Sequence, residues 1–179
     1  MRNHYDAADV SRFLDVLVGK IAASFTPDKP LNIVGIRTRG ESLADRLTSM
    51  LQSRGFSQIG RGVLDITLYR DDLSEIGPRP LVRPTNLKIE IDGRPLILTD
   101  DVIFTGRTVR AALDALSDFG RPSVIRLAVL VDRGGRELPI QPDYVPLNLG
   151  ELSRDLRVKV RMTESDGADE IIVGPRTER

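Results

Sequence analysis

The chain contains no cysteine and a single histidine, His4, which lies close to the start. The absence of cysteine excludes disulfides, thiolate metal sites and cysteine nucleophiles. With one histidine, neither a buried histidine triad nor a site built from several histidines can form. Any metal ion must therefore be held by oxygen ligands or through a substrate.

The chain also lacks an excess of charge of either sign, and it has no long apolar run. The 26 lysines and arginines balance the 26 aspartates and glutamates, so the net charge is zero, and only a local basic face could attract nucleic acid or a membrane surface. The densest apolar run, at residues 127–131, is far too short to span a bilayer, and the start of the chain does not resemble a signal peptide. We therefore expect a cytoplasmic protein without membrane contact.

Apolar runs of strand length alternate with segments of helical spacing along the 179 residues, a length that suits one domain. This alternation predicts an α/β fold in which a mainly parallel sheet is flanked by helices. Ligands bind such sheets at the carboxyl ends of the strands, so we expect chemistry in the loops after residues 36, 69, 99 and 131. The predicted strands lie at residues 31–36, 63–69, 96–98, 124–131, 156–162 and 171–173, the last closing the sheet.

The most informative segment is residues 96–108, where a buried strand delivers Asp100 and Asp101 to a short loop that enters a helix. The loop offers backbone N–H groups, threonine hydroxyls and the positive end of the helix dipole, which together suit a phosphate. Gly106 lets the backbone approach that phosphate closely. The two carboxylates suit the hydroxyl donors of a vicinal diol. The segment therefore predicts a pocket for a ribose 5-phosphate.

Simpler interpretations of this segment are weaker. An Asp-Asp pair alone is common in solvated turns, and Thr-Gly-x-Thr alone is common at helix starts, but their combination in one strand–loop–helix unit favours a phosphate site. A phospho-acceptor receiver domain would carry its acidic pair after the first strand. Here the pair lies in the middle of the chain, and that interpretation leaves the Thr105–Thr108 loop unexplained.

The same segment resembles the phosphoribosyl diphosphate (PRPP) signature of type I phosphoribosyltransferases. Three further segments, at residues 34–40, 64–73 and 127–140, resemble in order the PyrR family, whose members combine uracil phosphoribosyltransferase activity with attenuation of the pyrimidine operon through leader RNA. The resemblance implies a single domain over residues 1–179 with the type I phosphoribosyltransferase fold, and a mobile hood loop at residues 69–85. It also implies a homodimer.

This resemblance implies that uracil and PRPP are converted to UMP and pyrophosphate, with Mg²⁺ bound through PRPP and no direct metal ligand from the protein. Asp100 and Asp101 would bind the ribose hydroxyls, and Arg37 and Arg39 would stabilise the leaving pyrophosphate. The implied PRPP-binding residues are Thr38, Gly40, Asp100, Asp101, Val102, Ile103, Phe104, Thr105, Gly106, Arg107 and Thr108. Those implied for the hood loop are Tyr69, Arg70, Asp71 and Asp72, and those facing the base are Val131, Asp132 and Arg133.

RNA binding is where the sequence departs from the family pattern. Gly135 and Gln141 stand where the family has basic residues, whereas Arg136 is kept. Arg157, Lys159 and Arg161 form an alternating basic stripe, which is typical of the wet face of an edge strand and is alternatively a relocated RNA surface. Two alternatives therefore stay open: a UMP-dependent RNA-binding attenuator, and a phosphoribosyltransferase for another base, a purine or orotate.

Overall fold

The structure, a computed structural model, describes residues 3–71 and 85–175. It confirms the predicted parallel sheet, which has five strands in the order β3-β2-β4-β5-β6, all parallel. The strands are β2 (Leu31–Ile36), β3 (Ile59–Leu64), β4 (Pro95–Ile103), β5 (Val124–Asp132) and β6 (Leu147–Asn148). The helices are α1 (Ala7–Ser24), α2 (Arg39–Gln52), α3 (Arg107–Ser117) and the short α4 (Thr163–Asp166).

Helices cover both faces of the parallel sheet, which is why its central strands are mostly apolar. Every residue of β2 is buried. Ile33 faces a core cluster that includes Leu17 of α1 and Leu47 of α2. The next residue, Val34, faces a second cluster that includes Leu116 of α3. Successive side chains of the strand therefore serve two cores, one on each side.

The strand predicted at residues 63–69 is wrong in its position. β3 ends at Leu64, and a single 3₁₀ turn follows at Thr67–Tyr69. The Asp65 carboxylate accepts a hydrogen bond from the backbone N–H of Thr67 (2.8 Å), and the N–H of Tyr69 bonds the carbonyl of Ile66 (2.9 Å). These local bonds satisfy donors that a continued strand would have paired with β2, so the chain turns at the sheet edge.

The two late strands form, as predicted, but they do not close the parallel sheet. β7 (Leu156–Arg161) and β8 (Glu170–Pro175) pair with β1 (His4–Tyr5) in a separate antiparallel sheet of order β1-β8-β7. The alternation on β7 is as expected, because Val158 and Val160 are buried and join the α1 core cluster. We call this the terminal sheet. None of the helices in the described part of the chain has the length and apolar content that crossing a bilayer requires.

Candidate active site

The acidic pair lies near the end of β4, with Asp100 almost fully buried and Asp101 half-buried. A carboxylate oxygen of Asp100 accepts from the backbone N–H of Asp101 (2.9 Å). Burial raises the pKa of Asp100 well above its ordinary value, and the neighbouring charge of Asp101 raises it further. Burial also raises the pKa of Asp101, against the opposing effects of its hydrogen bond with Asp100 and of the positive charge of Arg39. Two acceptors held at this energetic cost are typical of a functional site.

The predicted phosphate loop sits at the start of α3. Gly106 immediately precedes the helix with a φ of 93°, in the left-handed region that glycine adopts without strain. The carbonyl of Thr105 accepts from the backbone N–H groups of Glu137 (3.0 Å) and Leu138 (3.1 Å). The loop is thus fixed between the helix and the segment that follows β5, with the amino end of α3 directed at the site.

The predicted pyrophosphate loop connects β2 to α2. A cavity of about 290 Å³ opens where this loop meets the ends of β3 and the beginning of α3. Sequence reasoning missed three of its lining residues, Asp65, Ile66 and Thr67, because the pattern predicts a strand through them. Their position directly after a parallel strand was the signal that could have found them. The cavity is lined by Arg37, Thr38, Asp65, Ile66, Thr67, Arg70 and Thr108.

Glycine is required at position 40, where the first turn of α2, directly after the pyrophosphate loop, packs against β4. A Cβ atom added to Gly40 would lie 2.4 Å from the carbonyl oxygen of Thr99 and 3.2 Å from the Cα of Asp100. The Thr99 hydroxyl donates to the carbonyl of Gly40 (2.8 Å). Since no side chain fits between the two backbones, the loop carrying the arginines is held directly against the strand carrying the acidic pair.

The two arginines of the loop have different surroundings. Arg37 lines the cavity and lies 3.8 Å from the Glu41 carboxylate. Arg39 instead pairs with Asp166 of α4, through Nε (3.2 Å) and Nη2 (3.0 Å). This hydrogen bond raises the pKa of Arg39, with further support from the charges of Asp166 and Asp101. Asp166 carries no local sequence signal, because it lies in α4, 127 residues further along the chain.

The residues predicted to face the base have their polar groups engaged within the protein. Asp132 accepts from Arg136 (2.7 Å) and from the N–H of Gly134 (2.9 Å). The carbonyl of Asp132 accepts from the N–H of Leu149 (2.8 Å). Val131 is buried in the ladder between β4 and β6.

Arg133, also predicted to face the base, is buried and donates hydrogen bonds within the protein. Its guanidinium donates to the carbonyls of Leu156 (2.8 Å) and Ser153 (3.1 Å), and lies 4.1 Å from the centre of the Phe104 ring. The same ring excludes a side chain at Gly135, where a Cβ atom would lie 2.5 Å from a ring carbon. Arg133 therefore ties the end of β5 to the beginning of β7.

Arg136, predicted as an RNA contact, is largely buried. Its side chain is 12% exposed, and its nitrogens donate to five acceptors, the carbonyls of Ile140, Phe104 and Gly134 and the side chains of Asp132 and Gln141. On β7, Arg157 and Lys159 are exposed, but Arg161 pairs with Glu170 (2.5 Å). Two of the three residues of the predicted basic stripe are therefore exposed on this edge strand, and the third is partly buried in an ion pair.

The described part of the predicted hood loop is tethered to α3. The Tyr69 hydroxyl donates to Asp118, and Asp71 accepts from Arg107 (2.5 Å). Arg70 lines the cavity beside Arg37. Asp72 and the following residues, up to 84, lie outside the described residues.

Comparison with known proteins identifies the class to which this fold and site belong. The sequence model of the phosphoribosyl transferase domain matches residues 10–155. Among solved structures, a hypoxanthine phosphoribosyltransferase of Trypanosoma cruzi superposes with a TM-score of 0.71 at 16% identity, covering 98% of each chain. An HGPRT-ase of Leishmania tarentolae gives a TM-score of 0.70 at 16% identity, covering 99% of this chain and 97% of that one. The predicted type I phosphoribosyltransferase fold is confirmed.

Sequence relatives define the family more narrowly. The bifunctional protein PyrR of Chloroflexus aurantiacus is 55% identical over 79% of this chain and 77% of its own. The bifunctional protein PyrR of Elusimicrobium minutum is 48% identical over 93% of this chain and 92% of its own, and that of Thermus thermophilus is 48% identical over 93% and 91%. The chain therefore belongs to the PyrR family of phosphoribosyltransferases, which confirms the predicted resemblance.

Proposed function

We propose that the protein transfers the phosphoribosyl group of PRPP to uracil, releasing pyrophosphate and forming UMP. The observation that carries this proposal is the succession of the Asp100–Asp101 pair and the glycine loop at the start of α3, packed directly against the arginine loop at Gly40. This edge of the sheet combines acceptors for a diol with two separate sets of anion-binding groups. PRPP carries that combination, a diol between a 5-phosphate and a pyrophosphate.

In the proposed reaction a uracil nitrogen bonds to the anomeric carbon while the bond from that carbon to the pyrophosphate oxygen breaks. Positive charge develops on the ribose ring, and the Asp100 and Asp101 carboxylates, fixed beneath it, stabilise that charge while they accept from the hydroxyls. Arg37 and Arg39 bind the departing pyrophosphate, and the Thr105–Thr108 loop holds the 5-phosphate in place. We assign no general base for the uracil proton.

Mg²⁺ fits this site as an ion carried by the substrate. The described residues contain no cluster of three or more carboxylate or imidazole groups that could hold a metal, while the Asp100–Asp101 pair offers two carboxylates. Mg²⁺ commonly takes one or two carboxylates and completes its shell with water and substrate phosphates. When bound, the ion would neutralise part of the charge on the leaving pyrophosphate.

A base-by-base assay tests the choice of uracil. With PRPP and Mg²⁺ fixed, uracil, orotate, hypoxanthine and guanine are offered separately, and nucleotide formation is followed by chromatography. The proposal predicts UMP from uracil and at least a hundredfold lower kcat/KM for the other bases, since a site built to hydrogen-bond its substrate rejects a mismatched one by about 10⁴-fold. Preferential use of a purine or of orotate would contradict the assignment to uracil and leave the phosphoribosyl transfer intact.

We propose regulation of pyrimidine genes through leader RNA as a second function, supported by the PyrR relatives and by the exposed Arg157 and Lys159. The test is a titration of pyrimidine-operon leader RNA with and without UMP at two salt concentrations. Binding that UMP strengthens and salt weakens supports a regulator that uses phosphate contacts. Weak binding indifferent to UMP would leave an enzyme without this function. We also propose that the protein is a homodimer, as the family resemblance implies, and sedimentation of the protein without RNA tests this.

A further inference from the structure

A carboxylate from α4, the short helix between β7 and β8, reaches the proposed pyrophosphate loop. Asp166, at the end of α4, receives Nε and Nη2 of Arg39 at 3.2 and 3.0 Å, a two-point contact along one edge of the guanidinium. The hydrogen bonds from Arg39 hold the pKa of Asp166 well below its ordinary value. The carboxylate is therefore ionised at neutral pH and binds Arg39 as a charged pair.

Asp166 is itself held rigidly. One of its carboxylate oxygens also accepts from the N–H of Met162 (3.1 Å) and from the hydroxyl of Ser165 (2.8 Å). Its side chain is 16% exposed. The flexible Arg39 side chain is therefore bound to a carboxylate whose own position is fixed.

A second ion cluster fixes the α4 turn to α2, the helix that Arg39 begins. Arg46 of α2 binds Glu164 with both Nε and Nη2 (2.7 Å each), and binds Asp169 through Nη1 (2.8 Å) and Nη2 (2.7 Å). Asp169 also accepts from the N–H of Thr163 (2.8 Å). The turn and the helix therefore form one unit, and Asp166 is presented to the loop in a defined place.

We infer that Asp166 is a positioning residue that orients Arg39 for the pyrophosphate of PRPP; this inference rests on the proposed function. The contact occupies the Nε–Nη2 edge, and Nη1 has no hydrogen-bond partner among residues 3–71 and 85–175. The charge of Asp101, one of the two carboxylates proposed to bind the ribose, also acts on Arg39. An arginine ordered before the substrate arrives loses less conformational freedom on binding it, and affinity rises accordingly.

Competition between Asp166 and pyrophosphate for Arg39 is the alternative to positioning, and it predicts a change of PRPP affinity in the opposite direction. If Asp166 only competed with pyrophosphate for Arg39, its removal would free the arginine and strengthen PRPP binding. If Asp166 positions Arg39, its removal weakens PRPP binding, even though a negative charge has been taken away from an anion site. The sign of the change therefore decides between positioning and competition.

The test uses Asp166→Asn in the full chain. Calorimetric titration with PRPP alone, without any base, is expected to show about tenfold weaker binding, and the KM for PRPP is expected to rise by a similar factor while the KM for the base stays within about twofold. Asp45→Asn is the matched control, because it makes the same exchange at an exposed carboxylate of α2 that pairs with Arg61 and not with Arg39; its PRPP affinity should equal that of the wild type. Unchanged or tighter PRPP binding by Asp166→Asn would overturn the inference.

A double-mutant cycle separates action through Arg39 from a general loosening of the turn. In the Arg39→Met background, Asp166→Asn is expected to have no further effect on PRPP affinity, because the residue through which it acts is gone. Additive losses would overturn the inference. If Asp166→Asn does not fold, Asp166→Glu, which keeps the charge and shifts it by one methylene, gives a smaller loss in the same direction, and equal affinity to the wild type would count against positioning.

Asp101→Asn distinguishes the failure of this inference from failure of the proposed function. If Asp101→Asn turns over PRPP normally, the proposed site itself is wrong. If Asp101→Asn is impaired while Asp166→Asn binds PRPP as the wild type does, the site stands and only the positioning role of Asp166 is refuted.

Discussion

Substitution of Gly40 by alanine perturbs the site without removing any functional group. A Cβ atom there would lie 2.4 Å from the Thr99 carbonyl oxygen, whereas favourable contacts between heavy atoms begin at about 3.5 Å, so the two backbones must separate by about 1 Å. Overpacking of this kind costs about 2 kcal/mol. The separation moves the arginine loop away from Asp100 and Asp101, and a displacement of about 1 Å at a reacting centre lowers rates by about a hundredfold.

The assay for Gly40→Ala is kcat/KM for PRPP together with the free energy of unfolding in urea. Gly19→Ala is the matched control, because Gly19 lies in α1 and a Cβ atom added there would lie 3.7 Å from Arg54 Nη1, an ordinary van der Waals contact. That variant should gain about 1 kcal/mol from helix propensity and keep full activity. The reasoning is refuted if Gly40→Ala is as stable and as active as the wild type.

Two further predictions concern carboxylates. Asp100→Asn should lower activity yet stabilise the fold at pH 7 by about 1 kcal/mol. Burial raises the pKa of Asp100 in the folded state above the ordinary value of 3.8, so ionisation of this carboxylate destabilises the wild type at higher pH, and the gain should vanish below pH 3.8. A loss of stability at pH 7 would contradict this reasoning. The Asp169 carboxylate, by contrast, is expected to stabilise the fold, because its hydrogen bonds with Arg46 lower its pKa from 3.8 to about 2. Its carboxylate should contribute about 2 kcal/mol above pH 4, lost as the pH falls through 2. Urea unfolding of the wild type and Asp169→Asn should therefore converge at low pH, and a gap independent of pH would count against the ion pair.

The parallel sheet and its functional edge could be predicted because they depend on local patterns. Buried runs of strand length identify the strands, and the carboxyl-end rule then places Asp100, Asp101 and the loop at Arg37 together. The end of β3 could not be placed, because the turn depends on hydrogen bonds made by the Asp65 side chain. An apolar run alone does not reveal such a bond.

Features that depend on distant contacts could not be predicted from the sequence. The alternation on β7 identifies a strand with one wet face, but it does not say which sheet the strand joins. The family pattern predicts Arg136 as an RNA contact, but it does not reveal the acceptors that converge on this side chain from the loops after β4 and β5. The pairing of Arg39 with Asp166 joins two segments that only the folded chain brings together.

The most direct test of the account is kcat/KM for PRPP in Asp101→Asn against the wild type, with uracil as the base and circular dichroism to verify folding. The amide keeps the size of the side chain but removes the charge that is proposed to bind the ribose hydroxyls and to stabilise the developing positive charge. The account predicts a loss of about a hundredfold, the scale on which removing one preorganised electrostatic contact acts. Near-normal turnover by the folded variant would contradict the assignment of the acidic pair to the active site.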